Sequence, residues 1–152
     1  MSDLHGISYI KEGKRAIALF GTKYYEYGGR SHCPKPCTMK SISLLARNIE
    51  RFLGTKFNSV LVNYYKDGSS YIPPHSDDEA SLGPVPIIAS ISVGATRSFS
   101  FIRKCDGHIV DIILEHGTLL IMKGETQQKW QHTLPFCNSV NERFNITFRF
   151  IN

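Results

Sequence analysis

Between residues 39 and 53, Ile42, Leu45, Ile49 and Phe52 recur at steps of three and four, which gathers apolar side chains on one face of a helix. Thr38 or Ser41 can cap its start, and Gly54 can end it in the left-handed conformation that glycine adopts without strain. The periods elsewhere are shorter. Segments 60–65, 87–93, 98–103, 109–114, 118–122 and 143–151 are rich in β-branched or aromatic residues and separated by Gly, Pro, Asp or Asn, a pattern that predicts strands. Asp106-Gly107 is a hairpin signal between two of them. Many short strands behind one helix predict a mainly β fold with flanking α, a sandwich or barrel supported by helix on an outer face, not a parallel βαβ sheet.

The last strand has the sharpest pattern. With a side-chain period of two, Arg143, Asn145, Thr147 and Arg149 share one face while Phe144, Ile146, Phe148 and Phe150 share the other. The two arginines stand roughly 20 Å apart along an extended strand at ~3.3 Å per residue, too far to grip one small anion unless the strand bends or the side chains converge. Long guanidinium arms can converge, and each fork binds a carboxylate in a bidentate way.

A length of 152 residues fits a single domain able to bury a core. No apolar run approaches the ~18 residues of a membrane helix, and the start Met1-Ser2-Asp3-Leu4-His5 lacks a secretory signal, so a soluble, cytoplasmic monomer without membrane partners is expected, a nuclear location also being open. Cys33, Cys37, Cys105 and Cys137 are too scattered for a disulfide framework and read as free thiols. Cys33 and Cys37 with His32 suggest a zinc knuckle, but no second pair completes the four ligands that such a site needs. A net charge of +5 favours polyanionic partners. Lys23, Arg30, Lys35 and Lys40 bracket Tyr24, Tyr25 and Tyr27, the mix of cations and stacking rings that single-stranded nucleic acid binders use; tyrosines packed into a core beside a solvated loop are the more common reading.

His75-Ser76-Asp77 with a distant His132 fits the two-histidine, one-carboxylate triad that holds non-haem Fe(II) and leaves positions open for co-substrate and dioxygen. On a strand His75 and Asp77 point the same way, as chelation needs. Alone, a His-x-Asp triplet is weak evidence. His5, His32, His108 and His116 read as surface or structural residues.

The neighbours strengthen it. Asn63-Tyr64-Tyr65-Lys66-Asp67-Gly68, His75-Ser76-Asp77-Asp78-Glu79, the stretch from Ile88 through Gly94 and Arg97 to Phe99, His116-Gly117-Thr118, Gln131-His132-Thr133-Leu134-Pro135 and the closing Arg143-x-Asn145-x-Thr147-x-Arg149 run in sequence. In order and spacing they resemble the AlkB family of Fe(II)- and 2-oxoglutarate-dependent dioxygenases over roughly residues 14 to 150. The resemblance implies a double-stranded β-helix, the jelly roll of cupin-like proteins. It makes His75, Asp77 and His132 the iron ligands and the catalytic centre. Arg143 would pair with the distal carboxylate of 2-oxoglutarate, helped by Tyr65 and Asn145; Arg149 and Asn63 would lie near the end that chelates iron. A structural salt bridge from Arg149 to Asp77 is the alternative for that arginine. With Fe(II), 2-oxoglutarate and O2, the family chemistry would oxidise an N-methyl group, releasing formaldehyde, succinate and carbon dioxide.

For the substrate, the resemblance places Tyr25 and Tyr27 where the family has aromatic base contacts, with Tyr27 as stacking partner and Tyr25 as polar contact. Asp78 and Glu79 would face a cationic base such as 1-methyladenine or 3-methylcytosine, or form a solvated turn. Arg97, Arg103 and Lys104 would touch phosphates or keep a strand edge soluble. The chain departs from the family at Lys14-Arg15, where a proline-arginine pair is usual, and its amino-terminal nucleotide-recognition segment, about residues 1–37, is short. Methylated single-stranded RNA or DNA is therefore the expected substrate, RNA ahead. Abbreviated domains of this kind also resemble those embedded in plant RNA virus polyproteins, which suggests a viral source and a longer parent chain. Two rivals remain: a protein hydroxylase or demethylase on the same scaffold, and a non-catalytic RNA-binding module. Asn145-Ile146-Thr147 matches a glycosylation acceptor but lies inside the proposed catalytic strand.

Overall fold

The strand that ends the chain organises the molecule. In a computed structural model describing residues 2–27 and 30–152, the chain runs α1 (Ser2–His5), β1 (Ile10–Glu12), β2 (Arg15–Gly21), β3 (Tyr25–Tyr27), β4 (Arg30–His32), α2 (Lys40–Leu53), β5 (Ser59–Tyr65) and β6 (Ile72–His75). After a short 3-10 turn (Ala80–Leu82) come β7 (Ile88–Gly94), β8 (Arg97–Arg103), β9 (Ile109–Leu114), β10 (Leu119–Met122), α3 (Thr126–Lys129), β11 (Trp130–Leu134) and β12 (Arg143–Arg149). One sheet has the order β1-β2-β5-β12-β7-β10 and a second the order β6-β11-β8-β9, while β3 and β4 form a separate hairpin. Neighbouring strands in these sheets are antiparallel. This is the mainly β jelly roll that the strand pattern and the resemblance led us to expect.

The alternation along β12 decides which face carries chemistry. Phe144, Ile146 and Phe148 join Val60 and Val62 of β5 and Ala18 and Phe20 of β2 in one apolar layer, and Ile42 and Ile49 of α2 complete it. The helix thus covers one side of the six-stranded sheet, and burial of these side chains fixes the register, because a slip of one residue would turn the arginines into that layer. Arg143, Asn145, Thr147 and Arg149 face the other way and are nevertheless buried.

Several expectations needed correction. Met39 takes the N-cap position of α2 without a side-chain bond, and Ser41, inside the helix, donates instead to Asp3 Oδ2 at 3.0 Å, so neither Thr38 nor Ser41 supplies the expected cap. Gly54 does end the helix in the left-handed conformation, its N–H donating to the Glu50 carbonyl. Phe52 is 73 % exposed, and Leu53, four positions after Ile49, packs against the core in its place. The final strand stops at Arg149, leaving Phe150 47 % exposed. β6 holds His75 but ends there, so Asp77 lies beyond the strand on which the two were expected to share a face; Pro73-Pro74 are tolerated within β6 because it lies at a sheet edge, where missing N–H donors cost little. Arg97 does not serve phosphates: it is buried and donates to the carbonyls of Asp67, Ser70 and Pro135, tying two loops together. At the turn from β7 to β8, Gly94 has φ 97°, and a Cβ there would lie 2.6 Å from the Glu142 carbonyl oxygen, so the start of β12 approaches closer than any other residue would permit.

Candidate metal and co-substrate site

His75 ends the edge strand β6, and its Cα partner in the ladder is His132 of β11, so strand pairing alone brings the two imidazoles together. Their ring centroids are 4.3 Å apart. Asp77 follows where the chain leaves β6, and one ligand atom from each of His75, Asp77 and His132 lies within 4.8 Å of the others. His75 Nδ1 is 3.0 Å from the Pro73 carbonyl. A carbonyl only accepts, so Nδ1 carries the proton and Nε2 keeps its lone pair, 3.8 Å from Asp77 Oδ1.

The electrostatics favour neutral imidazoles around one carboxylate. Burial pushes the Asp77 carboxyl up, but Arg149, His132 and His75 together outweigh it and hold the group at about 2. Burial pushes His132 down to about 4 against the attraction of Asp77, and lowers His75 in the same way. Arg149 Nη2 donates to Asp77 Oδ2 at 2.7 Å, which is the salt bridge weighed above as the alternative. Asp77 Oδ1 and His132 Nδ1 are buried without a hydrogen-bond partner among the described residues. Buried polar atoms are rarely left so, and a cation held by this cluster would satisfy the carboxylate oxygen.

Next to this cluster lies a narrow cavity of about 40 Å³, lined among others by Asn63, Tyr65, Ser90, Asn145, Thr147 and Arg149. A groove of about 600 Å³ between the amino-terminal segment and β2 is far larger but contains none of the metal or co-substrate candidates. Size therefore does not single out the candidate site here; the chemistry of the lining does. Asn63 Oδ1 accepts from Arg15 Nε at 2.8 Å. Asn145 Nδ2 donates to Ser90 Oγ, and its Oδ1 accepts from Thr147 Oγ1 at 2.8 Å, so both ends of that carboxamide are fixed inside the sheet.

Arg143 is not part of that lining. Its guanidinium stands 5.4 Å from the centroid of the Tyr65 ring, which is, and its Nη2 donates to Ser92 Oγ at 2.9 Å. Among the described residues its Nε has no hydrogen-bond partner, and no carboxylate forms an ion pair with it. Burial depresses its affinity for the proton. A buried cation that faces a hydroxyl and a ring, with the Arg97 cation near enough to repel it, is what a dicarboxylate's far end would complete.

Around the metal cluster the substrate candidates are dispersed. Asp78 is exposed and stands 3.7 Å from Lys104 Nζ, while Lys104 also donates to the Gln127 carbonyl at 2.9 Å. Arg103 is held by Asp106 through two hydrogen bonds, of 2.9 and 2.6 Å, and leans over Trp130. Both cations thus have an anionic neighbour, and both pairs lie in solvent, where they are weak. Glu79 is half-buried beside the 3-10 turn. Tyr25 and Tyr27 sit on β3, but their side chains lie outside the described residues. Ser90, Ser92 and Gln127 were not anticipated. The serines alternate with Ala89 and Ile91 along β7, a polar parity that marks the inward face; Gln127 gives no comparable signal.

The 2OG-Fe(II) oxygenase superfamily matches residues 13–149 of the chain. Over 145 residues the chain is 42 % identical to the alpha-ketoglutarate-dependent dioxygenase alkB homolog 3 of Rattus norvegicus, covering 89 % of this chain and 49 % of that protein. To the DNA oxidative demethylase ALKBH2 of Homo sapiens it is 38 % identical over 134 residues, covering 82 % of this chain and 51 % of that one. The chain thus spans about half the length of these curated relatives. The solved structure of OsALKBH1 superposes with a TM-score of 0.68 at 17 % identity, over 93 % of this chain and 84 % of that one, a likeness of fold. The chain belongs to the 2OG-Fe(II) oxygenase superfamily and, within it, to the AlkB family.

Proposed function

We propose that the chain is an oxidative demethylase that removes N-methyl groups of the 1-methyladenine and 3-methylcytosine type from single-stranded RNA or DNA, releasing formaldehyde, succinate and carbon dioxide. The observation that carries this reading is the cluster of His75, Asp77 and His132, with Asp77 Oδ1 buried and without a hydrogen-bond partner among the described residues. These residues fit Fe(II): two neutral imidazoles and one ionised carboxylate are suitable donors, and they would leave further positions open and positive charge for an anionic co-substrate. When bound, iron with 2-oxoglutarate and dioxygen supplies the oxidising power.

The protein's own residues do the rest. Arg149 holds the far oxygen of Asp77, so that the near one remains for the metal. The Pro73 carbonyl fixes the His75 tautomer. Arg143 receives the distal carboxylate of 2-oxoglutarate, with Ser92 and Tyr65 holding its guanidinium. Asn63, oriented by Arg15, offers its amide N–H groups to the co-substrate, and Tyr65 and Asn145 line the cavity. Because that cavity is narrow as it stands, the five-carbon acid requires the Tyr65 and Arg143 side chains to part.

Support for the substrate comes from outside the metal cluster. The relatives named as DNA oxidative demethylases match most of this chain, and a net charge of +5 favours a phosphate backbone. A single strand offers its bases without the unstacking cost of a few kcal/mol that a duplex imposes. Tyr25 and Tyr27 would supply the stacking and polar contacts, and the exposed Asp78, with Glu79, would face the cationic base. The test loads the protein anaerobically with Fe(II) and 2-oxoglutarate, then admits oxygen with methylated single-stranded RNA, methylated single-stranded DNA or a methylated peptide. Formaldehyde and succinate are expected from the nucleic acids. Their release from the peptide alone would replace this reading with a protein demethylase, and full activity in His132→Ala would overturn the metal assignment.

A further inference from the structure

Gln127 of α3 is 2 % exposed, and both ends of its carboxamide are engaged. Oε1 accepts the main-chain N–H of Asp77 at 2.8 Å, and Nε2 donates to Met122 Sδ at 3.5 Å. The first of these bonds ends on the backbone of the residue whose carboxylate completes the metal cluster. Two more bonds cross the same seam: Ser76 Oγ donates to the Trp130 carbonyl at 2.9 Å, and Lys104 Nζ to the Gln127 carbonyl at 2.9 Å.

The need for such bonds follows from the strand ends. β6 stops at His75, so Asp77 lies beyond the strand. Arg149 anchors Asp77 Oδ2, but a carboxylate held only at one oxygen can still swing if its main chain shifts. Holding the N–H at a buried amide removes that freedom, and no water-exposed alternative competes with it. With main chain and Oδ2 both fixed, Oδ1 has one remaining direction, toward His75 and His132.

We infer that Gln127 is a positioning residue of the metal site, acting through the Asp77 main chain and touching no ligand side chain. This rests on the assignment of His75, Asp77 and His132 as metal ligands. It also explains why an amide, and not an apolar residue of similar volume, occupies a buried position in α3.

The test titrates Co(II), an oxygen-stable stand-in for Fe(II), into the protein and its variants and reads the visible absorption of the bound ion. Gln127→Leu fills the space but accepts nothing, and its Co(II) affinity is expected to fall about 10- to 100-fold, the range seen when a partner orienting a metal ligand is lost. The Asp77 amide should also exchange its hydrogen faster. Gln127→Glu keeps an acceptor oxygen at the same reach and should retain most of the affinity; a loss as large as in Gln127→Leu would assign the effect to packing and overturn the inference. Should Gln127→Leu fail to fold, Gln127→Asn, whose amide is one methylene short, replaces it with the same expectation. Co(II) binding equal to the parent in the folded variant overturns the role of Gln127 alone, whereas absence of Co(II) binding in the parent overturns the metal assignment itself.

Discussion

Arg143 and Arg149 are the same residue type on the same face of the same strand, 2 % and 4 % exposed, and they live in opposite electrostatic situations. Arg149 has a buried carboxylate at 2.7 Å. Arg143 has a serine hydroxyl and a tyrosine ring, and no ion-pairing carboxylate among the described residues. Desolvating a guanidinium is expensive, and only the first case is compensated from within the protein. Under the proposed function the difference separates two tasks: one arginine orients a metal ligand, and the other is kept charged for an anion that arrives from outside.

The comparison breaks most severely if Arg149 is removed. Arg149→Met strands a buried carboxylate, so the metal-free protein is expected to lose about 3–5 kcal/mol of stability, measured by urea unfolding. Unchanged stability would mean that Asp77 does not depend on this partner. Arg143→Met should do the reverse. Replacing an uncompensated buried charge with an apolar side chain leaves metal-free stability equal or higher, while 2-oxoglutarate binding weakens by about 2–5 kcal/mol in calorimetric titration. If both variants lose stability equally, the distinction between the two arginines is lost.

Acid sharpens the same contrast because its effects fall on the Asp77 and His132 end of the site. Asp77 is depressed from 3.8 to about 2, so its contribution is complete above the ordinary value and is lost as the pH falls toward about 2. His132 is depressed from 6.5 to about 4; between those values the unfolded chain binds a proton that the native protein refuses, and stability drops as the pH falls. Both groups act in one direction, so unfolding measured from pH 7 downward should show a decline beginning near 6.5 in the metal-free protein. His132→Gln should reduce the upper part of that decline, leaving the share of His75, which burial lowers in the same direction. The smallest effect belongs to Ser92→Ala, which takes from Arg143 one hydrogen bond worth about 0.5–1.5 kcal/mol and should weaken 2-oxoglutarate binding by no more than that; a loss as large as in Arg143→Met would place Ser92 itself on the co-substrate.

Much of this site was legible along the chain because its residues sit on regular elements. The period of two in β12 told which of its side chains share the polar face, and burial of Phe144 and Phe148 against α2 leaves the arginines no other direction. Arg97 shows the limit. In sequence it is one more cation near a strand end; in the fold it is a buried clamp on three carbonyls, because the loops after β5 and β11 meet beside it. Phe52 erred for a similar reason: its spacing fits the apolar stripe of α2, but the stripe turns to Leu53 at the last turn of the helix.

By itself the sequence determined the periodic elements, the triad of ligand types and the family, since side-chain period and motif order are local properties. Only the tertiary structure decided which charges meet. The ladder between β6 and β11 sets His75 beside His132, Asp77 reaches Arg149 across the interior, and Gln127 finds the Asp77 backbone from a helix fifty residues away. Partnership among buried polar groups depends on distances that no local pattern encodes, and an arginine on one face of one strand gains a carboxylate or only a hydroxyl and a ring according to what the fold places within reach.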